Sequence, residues 1–553
     1  MDDYYDLGSY SCPITTTSEL AQLWFDRGLN WTYGYNHEEA VECFTTALTH
    51  DPQCAMAYWG IAYASGPNYN MPWALFDETG RAKALAAAYD ATQAALALTG
   101  AVSAVEHALI TALPARYPQR DLGEDMHAWN HDFADAMRAA FAQHPDNLDL
   151  RTVYAESLLN LSPWKMWDLP SGLPAKGAAT TEAQQVLETA LNSAPGAMTH
   201  PGLLHLYIHL MEMSPTPEKA LKAGDALRDL VPDAGHLVHM PTHIDVLCGH
   251  YENVVFWNQK AVQADLRYYQ RKGAYNIYTG YRQHDYHFTI YGALFLGQIK
   301  PAQDAVQGMF DTVPEEMLRI PSPPMADYFE SYMAMGPHIL IRFGRWEEAI
   351  ALTPPEDQQL YCTLTATTHY ARAVAFAATG RVAEAEAEEK VFLAARDRVP
   401  DTRLLHNNKV VDLFEIATEM LRGEIEYRKG NYDAAYAHLR ASVAHDDTLP
   451  YDEPWGWMQP TRHALGALLL EQGHVAEAEA VYREDLGLGG QLSRATVHPD
   501  NVWSLKGLHD CLKARGETAE IVQVKQRLDL ALARADAAVG ASCFCAQAAM
   551  RAG

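Results

Sequence analysis

Apolar residues recur along most of the chain at intervals of three and four, with runs of alanine and little alternation of β-branched residues. This spacing predicts amphipathic helices over almost every segment. Residues 24–52 add a fixed order of large and small side chains: Trp24, Gly28, Trp31, Ala40, Phe44, Ala47 and Pro52. Two antiparallel helices are predicted there, because large residues can pack against small ones and the proline ends the second helix.

These residues occupy positions 4, 8, 11, 20, 24, 27 and 32 of a 34-residue unit, which is typical of tetratricopeptide (TPR) repeats. Turn glycines mark further units at Gly249, Gly297, Gly344, Gly380, Gly430, Gly473 and Gly516. The sequence therefore predicts an all-α, TPR-like α-solenoid, a right-handed superhelix of about eleven or twelve helical hairpins. We expect one solenoid over residues 1–553, with an N-terminal extension (1–19), repeats (20–535) and a C-terminal tail (536–553).

Four stretches rich in aromatic residues are predicted to interrupt the repeats, and three of them also contain proline. They are residues 66–73, 162–177, 268–283 and 448–460. Long inserted loops in a compact fold are often binding loops, so they could cover a groove as a lid. They could equally fill gaps in the superhelix, and the sequence leaves both interpretations open.

Composition and charge exclude several classes of protein. The chain has 553 residues and a formal net charge of −28, which argues against binding nucleic acid or an anionic membrane. No apolar stretch is long enough for a membrane helix, and the acidic start predicts no leader. The eight cysteines are interpreted as reduced thiols, so we expect a cytoplasmic protein.

The placement of the histidines is the most informative feature of the sequence. When the repeats are put in register, seven histidines fall at positions 2, 5 and 9 of three consecutive first helices: His205, His209, His236, His239, His243, His284 and His287. The pair His205 and His209 recurs 34 residues later as His239 and His243. Positions 2, 5 and 9 lie within about 60° on a helix, so the imidazoles are predicted to face one concave groove.

Imidazoles that converge in this way predict a metal site, because histidine is the commonest side-chain ligand. One or two ions are expected, with copper first, iron second and zinc third, since imidazole ligands suit all three. No cysteine falls at these positions, which argues against a structural zinc cluster. Glu156 occupies position 9 of the preceding unit, where it could be a ligand or a catalytic base. His338 and His463 are secondary candidates.

Several strings taken together resemble a group of bacterial and fungal TPR proteins of largely uncharacterised function. They are AYWG at 57–60, HLYIH at 205–209, GHLVHMP at 235–241 and YDEP at 451–454. Where that group usually has His-Asn-x-His, this chain has His284-Asp285-Tyr286-His287 and keeps both imidazoles. The resemblance implies a TPR fold and brings no settled reaction.

Two hypotheses of different classes follow, and a third is related to the first. The first is a metal-dependent oxidoreductase, a copper oxidase or oxygenase acting on a small molecule with O2 as a candidate co-substrate; a zinc hydrolase comes third after iron. The second is a TPR scaffold that binds a peptide or protein partner in the groove. The third is metal storage or delivery without turnover. The sequence leaves the substrate and the oligomeric state open.

Overall fold

The computed structural model describes residues 4–546, which form two compact units. Unit 1 comprises residues 4–244 and Lys260–Arg282, and unit 2 comprises Asp245–Gln259 and residues 283–546. The boundaries between the units fall within helices α12, α13 and α14, defined below. The prediction of a single solenoid stays a prediction.

Helices α1–α14 lie wholly or partly in unit 1. Their bounds are α1 Glu19–Tyr33, α2 His37–His50, α3 Ala55–Ser65, α4 Glu78–Ala97, α5 Ala104–Arg116, α6 Met126–Gln143, α7 Leu148–Leu159, α8 Thr180–Ser193, α9 Pro201–Met211, α10 Leu221–Leu227, α11 Gly235–His239, α12 Pro241–Leu247, α13 Tyr251–Lys272 and α14 Tyr278–Leu296. Short 3-10 helices lie at Trp73–Leu75, Thr99–Ala101, Ala197–Thr199 and Pro217–Ala220. Strands β1 (Trp167–Asp168) and β2 (Leu173–Pro174) pair antiparallel.

Unit 2 continues the helical pattern. Its further helices are α15 Ile299–Thr312, α16 Glu315–Leu318, α17 Met325–Phe329, α18 Met335–Arg342, α19 Trp346–Ala351, α20 Cys362–Ala378, α21 Val382–Arg396, α22 Val410–Arg428, α23 Tyr432–Asp447, α24 Thr461–Glu471, α25 Val475–Asp485, α26 Val502–Ala514 and α27 Glu520–Leu532. Two 3-10 helices lie at Glu330–Ala334 and Arg494–Thr496. Strands β3 (Leu404–Leu405) and β4 (Asn408–Lys409) pair antiparallel.

The predicted hairpin at residues 24–52 is confirmed as α1 and α2. Ser18 and Asn36 cap the two helices, because each side chain accepts a hydrogen bond from a backbone N–H of the first turn. Phe44 is fully buried, and a Cβ built on Gly28 or Gly60 would come within 2.6–2.7 Å of its ring. Glycine at these two positions therefore lets α1 and α3 approach the Phe44 ring closely.

The turn glycines predicted from the sequence are confirmed as turns between consecutive helices. All seven have a positive φ, which glycine adopts without the steric penalty of a Cβ. The fold is therefore all-α and TPR-like, as the sequence predicts. No helix between residues 4 and 546 has both the length and the apolar character that crossing a membrane requires.

Two predictions about local structure need correction, and one open alternative is decided. Residues 268–283 are mostly helical, since α13 reaches Lys272 and α14 begins at Tyr278. From the sequence, Pro241 either kinks the helix of His239 and His243 or begins a helix; it begins α12, so the two histidines lie on two helices. The cysteines are not all reduced thiols: Cys543 and Cys545 form a disulfide, and the six others are free.

The buried Phe44 ring provides a test of the packing in unit 1. Replacing Phe44 by Ala should lower the free energy of unfolding by about 3–5 kcal/mol, because a cavity remains between the two glycines. The control Leu20→Ala changes a side chain of α1 that is 51% exposed, and it should cost less than about 1 kcal/mol. Denaturant unfolding of the full chain measures both values. Equal effects of the two substitutions would contradict this packing.

Candidate metal centre

Helix α9 carries His205 and His209 one turn apart on the same face. Pro201 occupies the first turn, and the His200 side chain accepts a hydrogen bond from Leu203 N at 3.2 Å. Every residue of α9 is buried, because the helix packs against α1, α7, α8 and α10. The expectation of an exposed groove face is therefore wrong for this helix, since neighbouring helices surround it.

His205, His209 and His236 form a compact trio. One ring nitrogen from each lies within 4.8 Å of those of the other two, and all three side chains are buried. The Nε2 atoms of His205 and His236 are 3.1 Å apart. The sequence prediction that imidazoles of neighbouring hairpins converge agrees with this geometry.

His239 and His243 extend the trio into a cluster of five imidazoles in unit 1. Their Nε2 atoms are 2.6 Å apart. The ring of His239 is 6.0 Å from that of His236, and the ring of His243 is 6.1 Å from that of His209, measured between centroids. All five side chains are at most 2% exposed, so the cluster lies inside the protein.

The orientation of three of these rings is fixed through their Nδ1 atoms. Glu212 accepts hydrogen bonds from Nδ1 of His209 at 3.1 Å and of His243 at 2.6 Å, one to each carboxylate oxygen. The backbone oxygen of Tyr33 accepts from Nδ1 of His205 at 2.7 Å. A proton on Nδ1 leaves the lone pair on Nε2, which is the tautomer that a metal ligand requires.

Burial also keeps the cluster in its neutral form. The pKa of His205 lies well below the usual 6.5 because of burial and then the charge of His209. The pKa of His236 is lowered in the same way by burial and then by His205. Neutral imidazole is the form that binds metal, so these two ligands need not lose a proton at pH 7.

Tyr35 covers the trio. It lies in the turn between α1 and α2 with a φ of 55°, which a non-glycine residue rarely adopts. Its ring is 4.6 Å from that of His205 and stacks at 5.6 Å on that of His236. The later repeats have a glycine with positive φ in the corresponding turn, so the turn geometry of the repeat itself places the Tyr35 ring against the cluster.

Glu156, the predicted catalytic residue, is buried in the same unit. Tyr63 donates a hydrogen bond to Glu156 Oε2, and the Arg116 guanidinium lies 4.3 Å from the Tyr63 ring. Burial raises the pKa of Glu156, while the Tyr63 hydrogen bond and the charges of Arg116 and His209 oppose that rise. Glu156 is thus a buried carboxyl group that is held by Tyr63. Its burial favours the protonated form more than an exposed carboxylate would.

The last two predicted ligands, His284 and His287, belong to unit 2. The ring of His284 is 5.1 Å from that of His406, and Nε2 of His287 is 3.0 Å from Met458 Sδ. The pKa of His287 is lowered to about 3, chiefly by burial. That these two histidines share a site with the other five stays a prediction.

The secondary candidates His338 and His463 also lie in unit 2. His338 packs edge-on against Trp457 at 5.0 Å between centroids. His463 donates from Nε2 to Asp485 at 3.0 Å and accepts from Arg342 at Nδ1, so it belongs to a buried polar network. These contacts give His463 a place in the buried core of unit 2.

Glu212 and Tyr35 are the functional residues that sequence reasoning missed. Glu212 follows His209 by three residues, a spacing that places the two side chains on one side of the chain, so this signal was present. Tyr35 gave no such signal, because it lies in the turn between α1 and α2, where no repeat position calls for an aromatic ring.

The comparisons with known proteins find only distant similarity. No protein family and no curated protein matches the chain. Similar solved structures include the APC/C hetero-tetramer Cut9–Hcn1, with a TM-score of 0.30 and 12% identity over 94% of this chain and 78% of that chain. The TPR domain of P58(IPK) has a TM-score of 0.23 and 13% identity over 82% of this chain and 98% of that chain. The structure of Naa15/Naa10 bound to HypK-THB has a TM-score of 0.20 and 12% identity over 92% of this chain and 70% of that chain. Scores this low carry no argument about this chain.

The lowered histidine pKa values predict how the stability of the metal-free protein depends on pH. Unfolded histidines take up protons below about pH 6.5, whereas His205 and His236 stay neutral when folded. Stability should therefore fall as pH drops below 6.5, by up to about 1.4 kcal/mol per pH unit for each of the two histidines.

The measurement is denaturant unfolding of the apoprotein at pH 7.5, 6.5 and 5.5. A His205→Asn, His236→Asn double variant is the comparison, because it removes both titrating groups. Its unfolding free energy should depend less steeply on pH below 6.5 than that of the wild type. Parallel pH profiles would show that these rings do not remain neutral in the folded state.

Proposed function

We propose that this protein binds one or two transition-metal ions through the histidine cluster of unit 1 and is a metal-dependent oxidoreductase. The observation that carries the proposal is the trio His205, His209 and His236, whose ligand nitrogens lie within 4.8 Å of one another in a buried site. Copper is the first candidate, and the proposed reaction is an oxidation or oxygenation of a small molecule.

The energetics of burial support a metal rather than a purely structural cluster. A buried polar group that lacks a hydrogen bond costs about 1–3 kcal/mol. Nδ1 of His236 is buried and has no partner among the residues that the structure describes. The close pairs of Nε2 atoms can share only one proton each, whereas a cation accepts lone pairs from all of them.

The ligand chemistry supports copper before iron and zinc. Imidazole ligands suit copper, zinc, iron and nickel, whereas non-haem iron usually adds a carboxylate. The carboxylate of Glu212 hydrogen-bonds to Nδ1 of two histidines and so acts as a support for ligands. A zinc hydrolase remains the third candidate.

The surrounding side chains have roles that fit such a reaction. The bound ion would supply a redox centre or a Lewis acid. Glu156, hydrogen-bonded to Tyr63, would hold or release a proton for the substrate, because burial raises its pKa. Tyr35 would shield the trio from water through its ring contacts.

The alternative functions predict different outcomes. Histidines that grip a peptide in a groove should be exposed, and the five in unit 1 are at most 2% exposed, so burial favours the metal. Metal storage would give tight binding without turnover. Membership of the group with the HLYIH and GHLVHMP strings, and a cytoplasmic location, are also part of this proposal.

Elemental analysis of protein expressed with copper, iron and zinc each supplied tests the proposal. Wild-type protein should contain about one or two ions per chain, and the His205→Ala, His236→Ala double variant should lose the ion of the trio. The control is His200→Asn, since His200 is also buried in unit 1 but contacts Asp149 at 3.3 Å outside the cluster. Its metal content should match that of the wild type.

Three outcomes separate the candidates. Oxygen uptake with a substrate panel that disappears in the double variant supports the oxidoreductase. Tight metal that is lost in the double variant, without any turnover, supports storage. Equally low metal in all three proteins overturns the metal proposal and leaves the scaffold.

Glu212 gives a sharper test of the metal geometry. In Glu212→Gln the amide NH2 faces an imidazole N–H, so His209 and His243 cannot both keep the proton on Nδ1. We expect metal affinity to fall about 10–100-fold, as for other residues that orient ligands. Competition with a chelator measures the affinity.

The matched control for this test is Glu188→Gln. Glu188 accepts a hydrogen bond from Tyr207 of α9 at 3.0 Å. The Glu188→Gln substitution therefore removes the same charge beside the same helix. Its affinity should stay within about twofold of the wild type. Equal affinities for the Glu212 variant and the wild type would contradict the role of Glu212 in orienting the ligands.

A further inference from the structure

We propose that unit 2 contains a second metal site, in which His287 and Met458 bind a single Cu(I) ion. This site shares no residue with the cluster of unit 1 and stands independently of it. It goes beyond the proposed function, because it assigns a soft thioether ligand and one oxidation state of copper.

The geometry of the pair is the first observation. Nε2 of His287 lies 3.0 Å from Sδ of Met458, and both side chains are 1% exposed. His287 lies on α14, and Met458 lies 171 residues later in the sequence, in the insert at residues 448–460. The insert therefore brings a thioether to a buried imidazole.

The second observation is a weakly satisfied ring nitrogen. Nε2 of the buried His287 contacts the thioether of Met458. A thioether is only a weak hydrogen-bond acceptor, so this contact satisfies the ring poorly. A metal ion bound by Nε2 and Sδ would use the lone pairs of both atoms.

The insert holds both ligands in place through its neighbouring residues. Trp457 packs edge-on against His338 at 5.0 Å, and Gln459 Nε2 donates to the backbone oxygen of His338 at 2.5 Å. Tyr332 packs edge-on against the His287 ring at 5.6 Å. Both neighbours of Met458 in the sequence are thus anchored to α18, so the position of the thioether is defined.

The chemistry of the two ligands selects Cu(I). Methionine and cysteine are the soft ligands that favour Cu(I), and imidazole binds it well. Zinc in proteins is almost always bound by four ligands, and its usual donors do not include a thioether. The charge also matters, because the desolvation penalty of a buried ion rises steeply with charge and is smaller for a monovalent ion.

The test uses the full chain with the first cluster silenced by His205→Ala, His236→Ala, His239→Ala and His243→Ala, which remove four of its five imidazoles. This protein is loaded with Cu(I) without oxygen, and its affinity is measured by competition with a chromophoric Cu(I) chelator. We expect one Cu(I) per chain, with a sulfur neighbour in the X-ray absorption spectrum of copper. Adding Met458→Leu should remove the sulfur signal and weaken binding by at least about tenfold.

The matched control is Met309→Leu in the same background, because Met309 is also fully buried in unit 2. It should keep both the affinity and the sulfur signal. Selenomethionine labelling tests the same contact without any substitution at position 458, since copper should then show a selenium neighbour. This measurement decides the question even if the Met458 variant does not fold.

The result that overturns the proposal is a silenced protein that binds no Cu(I), or a copper spectrum without sulfur or selenium. In that case the contact is a hydrogen bond from His287 to a packed methionine. Failure of the unit 1 cluster to bind metal would leave the Cu(I) signal of Met458 unchanged, so the two proposals fail separately.

Discussion

The candidate centre depends on one carboxylate that serves two imidazoles. Glu212 is fully buried and accepts from Nδ1 of His209 with one oxygen and of His243 with the other. A buried carboxylate is tolerated only where hydrogen bonds compensate for its lost hydration. The same two bonds place both protons on Nδ1, so the histidines that satisfy Glu212 are also prepared to donate Nε2 lone pairs. Folding and ligand orientation are therefore coupled in this one contact.

The helical-repeat architecture explains how so many imidazoles can be buried together. Small residues such as Gly28 and Gly60 let helices approach closely, and Tyr35 in the following turn reaches over the trio. A helix surrounded by others must be buried on every side, and α9 has Leu206, Tyr207 and Ile208 between its histidines. The apolar residues of α9 pack against the neighbouring helices and so hold the histidines in the interior. Burial in turn keeps the imidazole rings neutral.

The two units place different side-chain chemistry on the same type of scaffold. In unit 1 the nitrogen atoms face one another, and a carboxylate and a backbone carbonyl support them. In unit 2 an insert between helices brings a thioether to a single imidazole. The difference arises because repeats contribute side chains at fixed intervals, whereas an insert contributes whatever its own conformation presents. Clusters of imidazoles alone and contacts between an imidazole and a thioether can thus be built without changing the helices.

The sequence by itself determined the helices, the turn glycines and the recurrence of the histidine pair after 34 residues, because these follow from local periodicity. It also indicated that His205, His209 and His236 approach one another, since repeats stack in register. Only the tertiary structure decided that Glu212 joins two of the histidines, that Tyr35 covers them and that His287 contacts Met458. Such contacts depend on how distant segments pack, and no local pattern records the direction in which a turn or an insert points its side chains.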